Sequence, residues 1–311
     1  MVGNKEFHSR NKHQGTYDFE KLVKVNPSLK EFVHPGKSDR LSIDFSNPKA
    51  VKELNRSLLL SDYKLNEWNI PAGYLCPPVP GRADYIHAVA DLLAESYDKN
   101  LMNFKVKCLD IGTGANCIYP IIGISEYDWK FIVSETDPKA IKNIEWILSK
   151  NHILKDKIEI RKQPNAEKIF QNIINSNDLF DCTICNPPFF SSEEDAIKAN
   201  TRKSRNLSRD KKAQSNFNFG GIGKELWYKG GEAAFIAKMI RESKQSATNV
   251  YWFTSLVSSE KNIPKIIQAL KGVKATDFKI IEQNRGNKKS RIVAWTFLNK
   301  KLKQIWNKSK K

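Results

Sequence analysis

The sequence predicts an α/β fold built on a mostly parallel, doubly wound sheet that ends in an antiparallel hairpin, with an N-terminal extension. Three observations predict it. Short strand-like apolar runs alternate with helix-period segments through the middle of the chain, the pattern of βαβ units. The first strong run flows directly into a glycine turn, the feature that open α/β sheets place at strand carboxyl ends to meet ligands. The last two runs are separated by only eight residues, too few for a crossover helix, so they pair antiparallel.

Taken in order, residues 1–80 are rich in Asn, Pro, Lys and His, and only short pieces such as 50–60 are periodic. They read as an extension in front of a main domain spanning 81–311. Between 83 and 97 the positions Tyr85, Ile86, Val89, Leu92 and Leu93 fall at helical spacing. Strands are expected at 106–111, 131–134, 158–161 and 179–185, with helices around 138–150 and 166–174 between them. Further helices are expected near 232–243 and 263–270, with strands at 250–256, 278–282 and 291–298. The 198–212 run holds seven basic residues against one acid and almost no apolar residue, so 191–229 reads as a basic, mobile loop.

Lysine and arginine number 52 against 34 acidic residues, giving a formal charge of +18. Solubility alone is served by a net charge of roughly 2–8 in a small domain, so the excess points to a polyanion, nucleic acid first. The chain opens Met-Val-Gly-Asn-Lys and holds no apolar stretch near the roughly 20 residues of a membrane helix. A cytoplasmic, membrane-free protein is expected. Five cysteines are too few for a disulfide scaffold. Cys182 and Cys185, three apart on an expected strand, point to opposite faces and read as buried structure rather than a metal or redox pair. No metal is expected, and a monomer is.

The run from Val106 to Asn116 is a buried strand ending in Gly112-Thr113-Gly114. Glycine lets backbone approach a ligand closely. A dinucleotide fingerprint needs a glycine at 117, where Cys117 stands, and here the acid Asp110 precedes the glycines. Glu135 ends the second strand, 23 residues beyond Gly112, where a carboxylate can bind ribose hydroxyls. Asp137 is its nearby competitor. No serine-nucleophile elbow, paired-histidine metal motif or phosphate loop is present.

The fourth strand breaks into Asn186-Pro187-Pro188-Phe189-Phe190. Two prolines end strand pairing and fix a rigid loop. A nitrogen conjugated to a π system is a poor nucleophile because its lone pair is delocalised. If the Asn186 side-chain oxygen and the Pro187 carbonyl each accept one N–H, the lone pair is turned toward a methyl donor and the charge that develops on nitrogen is stabilised. Phe189 offers an apolar face for an extruded base. This chemistry by itself leaves adenine, cytosine and a glutamine amide of a protein open. The charge favours nucleic acid.

The glycine turn with its preceding acid resembles motif I of class I S-adenosylmethionine-dependent methyltransferases, which implies their Rossmann-like fold. A nearly full-length resemblance follows from Tyr17-Asp18-Phe19, from 54–60 (Leu-Asn-Arg-Ser-Leu-Leu-Leu), from 68–87 (Trp-Asn-Ile-Pro-Ala-Gly-Tyr through Pro-Gly-Arg-Ala-Asp-Tyr-Ile-His), from 110–120 and from 186–190. On these the chain resembles the ribosomal RNA large subunit methyltransferase F family, adenine-N6 methyltransferases of 23S ribosomal RNA, related to the methyltransferase domain of a U6 small nuclear RNA adenine methylase. That resemblance implies S-adenosylmethionine as cofactor, and 23S ribosomal RNA or a large-subunit assembly intermediate as partner. It places Arg82 by the methionine carboxylate, Asp110, Gly112, Gly114 and Glu135 around the cofactor, and Asn165 at its adenine end. Asn186, Pro187, Pro188 and Phe189 would surround the target adenine. The N-terminal extension would bind RNA, with Lys5, Arg10, Lys12, Arg202, Lys203, Arg205, Arg285 and Lys288 as basic candidates.

Overall fold

The structure, a computed structural model, describes residues 7–36, 40–97, 105–195, 197, 226–285 and 288–309, apart from the side chains at 284, 285, 288, 289 and 309. Seven strands form the central sheet: β3 (Lys107–Ile111), β4 (Lys130–Glu135), β5 (Ile158–Lys162), β6 (Phe180–Cys185), β7 (Val250–Val257), β8 (Asp277–Arg285) and β9 (Lys288–Thr296). Their spatial order is β5-β4-β3-β6-β7-β9-β8. The first five of these pair in parallel, whereas β9 runs antiparallel to both β7 and β8. A small antiparallel pair, β1 (Val33–Pro35) and β2 (Leu41–Ile43), stands apart from it.

Alternation along the strands sends side chains to two apolar layers. One layer takes Cys108, Phe131, Val133 and Cys182 together with helices α2 (Pro48–Asp62), α3 (Val79–Tyr97), α4 (Ile118–Tyr127) and α5 (Pro138–Lys150). The other takes Leu109, Ile111, Ile132 and Cys185 with α6 (Gly231–Ser243) and α7 (Ile263–Gly272). Cys182 and Cys185 thus face opposite layers, and all five cysteines are buried and outside any disulfide. Buried Asp181 accepts from Lys107 N–H at 2.7 Å, Tyr97 Oη at 2.6 Å and Trp306 Nε1 at 3.2 Å, which ties the terminal helix α8 (Lys300–Ser309) to the sheet.

The structure departs from the sequence reading in three places. Residues 1–80, which read as largely irregular, contain α1 (Phe19–Val25) and α2, and their Phe19, Leu54, Leu58, Tyr63 and Trp68 lie in the same apolar layer as α3 and α4. The hairpin strands run on to Arg285 and from Lys288, which pair with each other. Polar residues at 283–285 and 288–291 hid that extension from an apolar-pattern reading. The helix expected at 166–174 is a series of turns. Asn172 takes a left-handed φ of 68°, and the Glu242 carboxylate of α6 accepts the backbone N–H groups of Ile169, Phe170 and Gln171 at 2.8–2.9 Å. Those donors are therefore committed to a side chain rather than to a helix ladder. Glu242→Ala should destabilise the protein by about 2 kcal/mol, the scale of a lost hydrogen bond to a charged group. It should also speed hydrogen exchange at the amides of Ile169, Phe170 and Gln171; unchanged exchange would show that another contact holds these turns.

Candidate functional site

After β3, β4 and β5 build outward in one direction, the chain returns to lay β6 on the other side of β3. Such a reversal opens a crevice at the strands' carboxyl ends. The register sets what lines it. Ile111 pairs with Cys185 and with Ser134, so Gly112, Asn186 and Glu135 leave three adjacent strands at one level. The sequence-predicted glycine turn, acid and proline loop therefore meet.

Gly112 and Gly114 both adopt a φ of 64°, which L side chains rarely accept. A Cβ on Gly112 would meet nothing within 4 Å, so the glycine serves backbone conformation and the space above it is open. The turn is held by Gly112 and Thr113 N–H donating to Ser134 O at 3.0 and 3.2 Å, and by Gly114 N–H donating to Glu135 Oε2 at 2.9 Å. Glu135 Oε1 accepts the N–H groups of Thr136 and Asp137 at 2.7 and 3.0 Å. Asp137, its competitor in sequence, instead caps α5 through Lys139 N–H and accepts the Tyr74 hydroxyl.

Asp110 is buried, and neither carboxylate oxygen has a hydrogen-bond partner among the described residues. Burial pushes its pKa up to about 7. The nearby Thr113 hydroxyl pulls the other way, as does Arg82 more weakly, while the Glu135 charge adds to the push. A carboxylate orphaned beside an open glycine turn fits a cationic ligand group. Among the described residues no group of three His, Cys, Asp or Glu could hold a metal ion.

Arg82, in the first turn of α3, is buried and reaches the same place: Nη1 donates to Tyr119 Oη at 2.8 Å and to Asn186 Oδ1 at 2.9 Å. Asn186 and Phe189 are half-buried, and Pro187 is buried. The loop is held on its far side by Leu226, whose carbonyl accepts Phe189 and Phe190 N–H at 3.1 and 3.0 Å. Asn165 is exposed, and its side-chain oxygen accepts Glu167 N–H at 2.9 Å, closing a local turn beyond β5.

The segment 66–78, which the sequence placed in an RNA-binding extension, packs beside the glycine turn. Trp68 Nε1 donates to Asn116 O at 3.0 Å, and Asn143 Nδ2 bridges Ala115 O at 2.6 Å and Asn69 O at 2.9 Å. Sequence reasoning missed Tyr119 and Tyr85. No spacing rule marks them, because their partners lie far away in sequence, as Arg82 lies 104 residues from Asn186.

The basic candidates divide. Arg10 donates to Asp91 Oδ1 at 2.6 Å and Tyr127 Oη at 2.8 Å, and Lys12 pairs with Glu126 at 2.7 Å. Lys5, Arg202, Lys203 and Arg205 lie outside the described residues, as do the side chains of Arg285 and Lys288, whose backbones end the hairpin.

The comparisons bear on a cleft of this kind. Proteins named ribosomal RNA large subunit methyltransferase F are similar to the chain: that of Pseudomonas aeruginosa (strain LESB58) is 45% identical over 306 residues, covering 97% of this chain and 91% of that protein. The one from Bacteroides fragilis (strain YCH46) is 47% identical over 305 residues, covering 96% and 100%. Among solved structures, the hMettl16 catalytic domain in complex with MAT2A 3'UTR hairpin 1 superposes with a TM-score of 0.79 at 29% identity, over 95% of this chain and 97% of that one. The N-terminal domain of human METTL16 in complex with SAH gives 0.74 at 25% identity, over 94% and 99%. The fold is thus the Rossmann-like methyltransferase fold. A family model described as RNA methyltransferase matches residues 1–299, so the chain that sets a glycine turn beside an Asn-Pro-Pro-Phe loop belongs to the RNA methyltransferase family.

Proposed function

We propose that this protein methylates the N6 amine of an adenine in large-subunit ribosomal RNA. The observation that carries the reading is the level exit of Gly112 and Asn186 from paired strands, which sets an amine-accepting oxygen beside the cofactor turn. The methyl donor is S-adenosylmethionine, which supplies an electrophilic methyl on a positively charged sulfur. Its amino-acid end is a zwitterion. Asp110 fits the ammonium and Arg82 the carboxylate, while Glu135, at the tip of β4, suits the ribose hydroxyls. Asn165 lies toward the adenine end. On the other side of the cleft, Asn186 Oδ1 and the Pro187 carbonyl accept the two N–H bonds of the target amine, which turns its lone pair toward the methyl. Phe189 supports the extruded base by stacking.

The choice of RNA rests on family membership and on the +18 charge, and the choice of large-subunit ribosomal RNA on the names of the relatives. Arg10 and Lys12 already face carboxylates. The phosphate grip is therefore assigned first to the other basic candidates of the sequence, Lys5, Arg202, Lys203, Arg205, Arg285 and Lys288.

Labelled cofactor incubated with the protein, large-subunit RNA and ribosomal proteins should place label in N6-methyladenine of 23S RNA after nuclease digestion and mass spectrometry. Label in a glutamine would overturn the reading. Asn186→Ala should slow transfer by about 10²–10³-fold, the scale of removing one oriented group that stabilises developing charge, while cofactor affinity changes little. Transfer at the normal rate would sink the proposed mechanism.

Asp110 gives a pH test. Its folded value of about 7 lies above the ordinary 3.8, so between these values the folded state keeps a proton that the unfolded chain releases. Its contribution to stability is full below the lower value and declines as pH rises through the upper one. Asp110→Asn should therefore melt higher than the wild type at pH 8 without cofactor, by an amount on the order of a few kcal/mol at most. The two should converge near pH 4. The same substitution should weaken cofactor binding. A variant less stable than wild type at pH 8 would show that Asp110 has a stabilising partner.

A further inference from the structure

The two hydrogens of Arg82 Nη1 are both committed inside the protein, one to Tyr119 Oη at 2.8 Å and one to Asn186 Oδ1 at 2.9 Å. A guanidinium carries five N–H donors and no acceptor. The three on Nε and Nη2 have no partner among the described residues, and they form the edge that grips a carboxylate with two parallel bonds. One side chain therefore presents two working edges. The Nη1 edge holds the Asn186 amide, and the Nε/Nη2 edge is left for a ligand.

The bond to Asn186 does more than anchor it. A donor-only group facing a carboxamide decides which of its ends is turned inward, because the amide nitrogen also only donates. Arg82 therefore fixes Asn186 with its oxygen toward α3, and Oδ1 keeps a second lone pair for an incoming N–H. Tyr119 in turn fixes Arg82. It stands in the first turn of α4, immediately after the glycine turn, with the Arg82 guanidinium carbon 5.6 Å from its ring centre. Its ring meets Tyr85 edge-on at 5.3 Å, and the buried Tyr85 hydroxyl accepts Cys185 N–H at 3.3 Å, one residue before Asn186. Helix α3, helix α4 and the end of β6 are thus joined through three side chains at the floor of the cleft.

We infer that Arg82, held by Tyr119, is a positioning residue that couples the cofactor side of the cleft to the amine-accepting oxygen of Asn186. This deepens the methyl-transfer reading above and rests on it. With Nη1 held, a carboxylate on the Nε/Nη2 edge locks the guanidinium and with it the rotation of the Asn186 amide, so cofactor binding prepares the loop for the target.

Tyr119→Phe removes only the hydroxyl. At saturating cofactor it should lower the single-turnover rate of RNA methylation by about tenfold, the cost of one oriented hydrogen bond. The affinity for S-adenosylhomocysteine, measured by calorimetry, should change by less than about threefold. Arg82→Lys keeps the charge on a single nitrogen that cannot serve both edges, and it should also lower the saturated rate. Combined with Tyr119→Phe it should add little, since both break the same relay. An unchanged rate in Tyr119→Phe, a loss confined to cofactor affinity, or fully additive losses would each overturn the inference. Should Tyr119→Phe fail to fold in a melting assay, Arg82→Lys decides alone: a saturated rate equal to wild type overturns the coupling. Label found on a protein glutamine would overturn the substrate reading instead, and the rate-against-affinity split would then be measured on that acceptor.

Discussion

The parallel pairing of β3 with β6, Ile111 opposite Cys185, is the constraint on which the site depends. Neither the glycine turn nor the proline loop contributes chemistry alone, and only this register brings them out of the sheet together. The core enforces it. Leu109 and Ile111 belong to one apolar layer and Cys108 to the other, and β6 divides in the same way between Ile184 and Cys185. Because strand side chains alternate with a period of two, a slip of one residue would send every one of these side chains into the wrong layer. Packing across the whole sheet thus protects a geometry of a few residues at its edge.

The same logic binds the N-terminal residues to the catalytic part. Leu54, Leu58 and Tyr63 sit in the layer that covers β3, β4 and β6, and the chain then crosses the glycine turn at 66–78. Trp68, Asn116 and Asn143 stitch that crossing with hydrogen bonds of 2.6–3.0 Å. At the start, Arg10 and His8 both grip Asp91 of α3. A segment held at both ends and buried in its middle packs beside the glycine turn as a fixed part of the fold.

The sheet was legible because its strands carry continuous apolar runs between turn residues, and the site was legible because its two loops carry rare residue combinations, Asp-Ile-Gly-Thr-Gly and Asn-Pro-Pro-Phe, at strand ends. What escaped was through-space. Ile169, Phe170, Ile173 and Ile174 have helical spacing, and nothing local announces that Glu242, more than 70 residues later, takes their amide hydrogens. Arg82 could be placed near the cofactor only by resemblance, and its bond to Asn186 not at all. Likewise the fold of 1–80 is set by apolar residues that find partners in α3 and α4, so a reading of their own periodicity sees only fragments. The lysines and arginines counted toward RNA binding depend on through-space partners in the same way. A charge total does not say which cations already face carboxylates, as Arg10 and Lys12 do.

The cleft keeps two opposite charges in low-dielectric surroundings without pairing them to each other. Among the described residues Asp110, at the end of β3, has no hydrogen-bond partner for either oxygen, and three N–H groups of Arg82 have none either. A fold selected for stability alone would join them or replace both with apolar groups, since an unpaired buried carboxylate is costly. On the assignment proposed above, a ligand that carries its own ammonium and carboxylate on one carbon would give each of them a partner. The strain of that arrangement shows as the raised pKa of Asp110. On that proposed assignment a zwitterion would satisfy both groups at once, whereas a decarboxylated or deaminated form of the same ligand would satisfy only one of them.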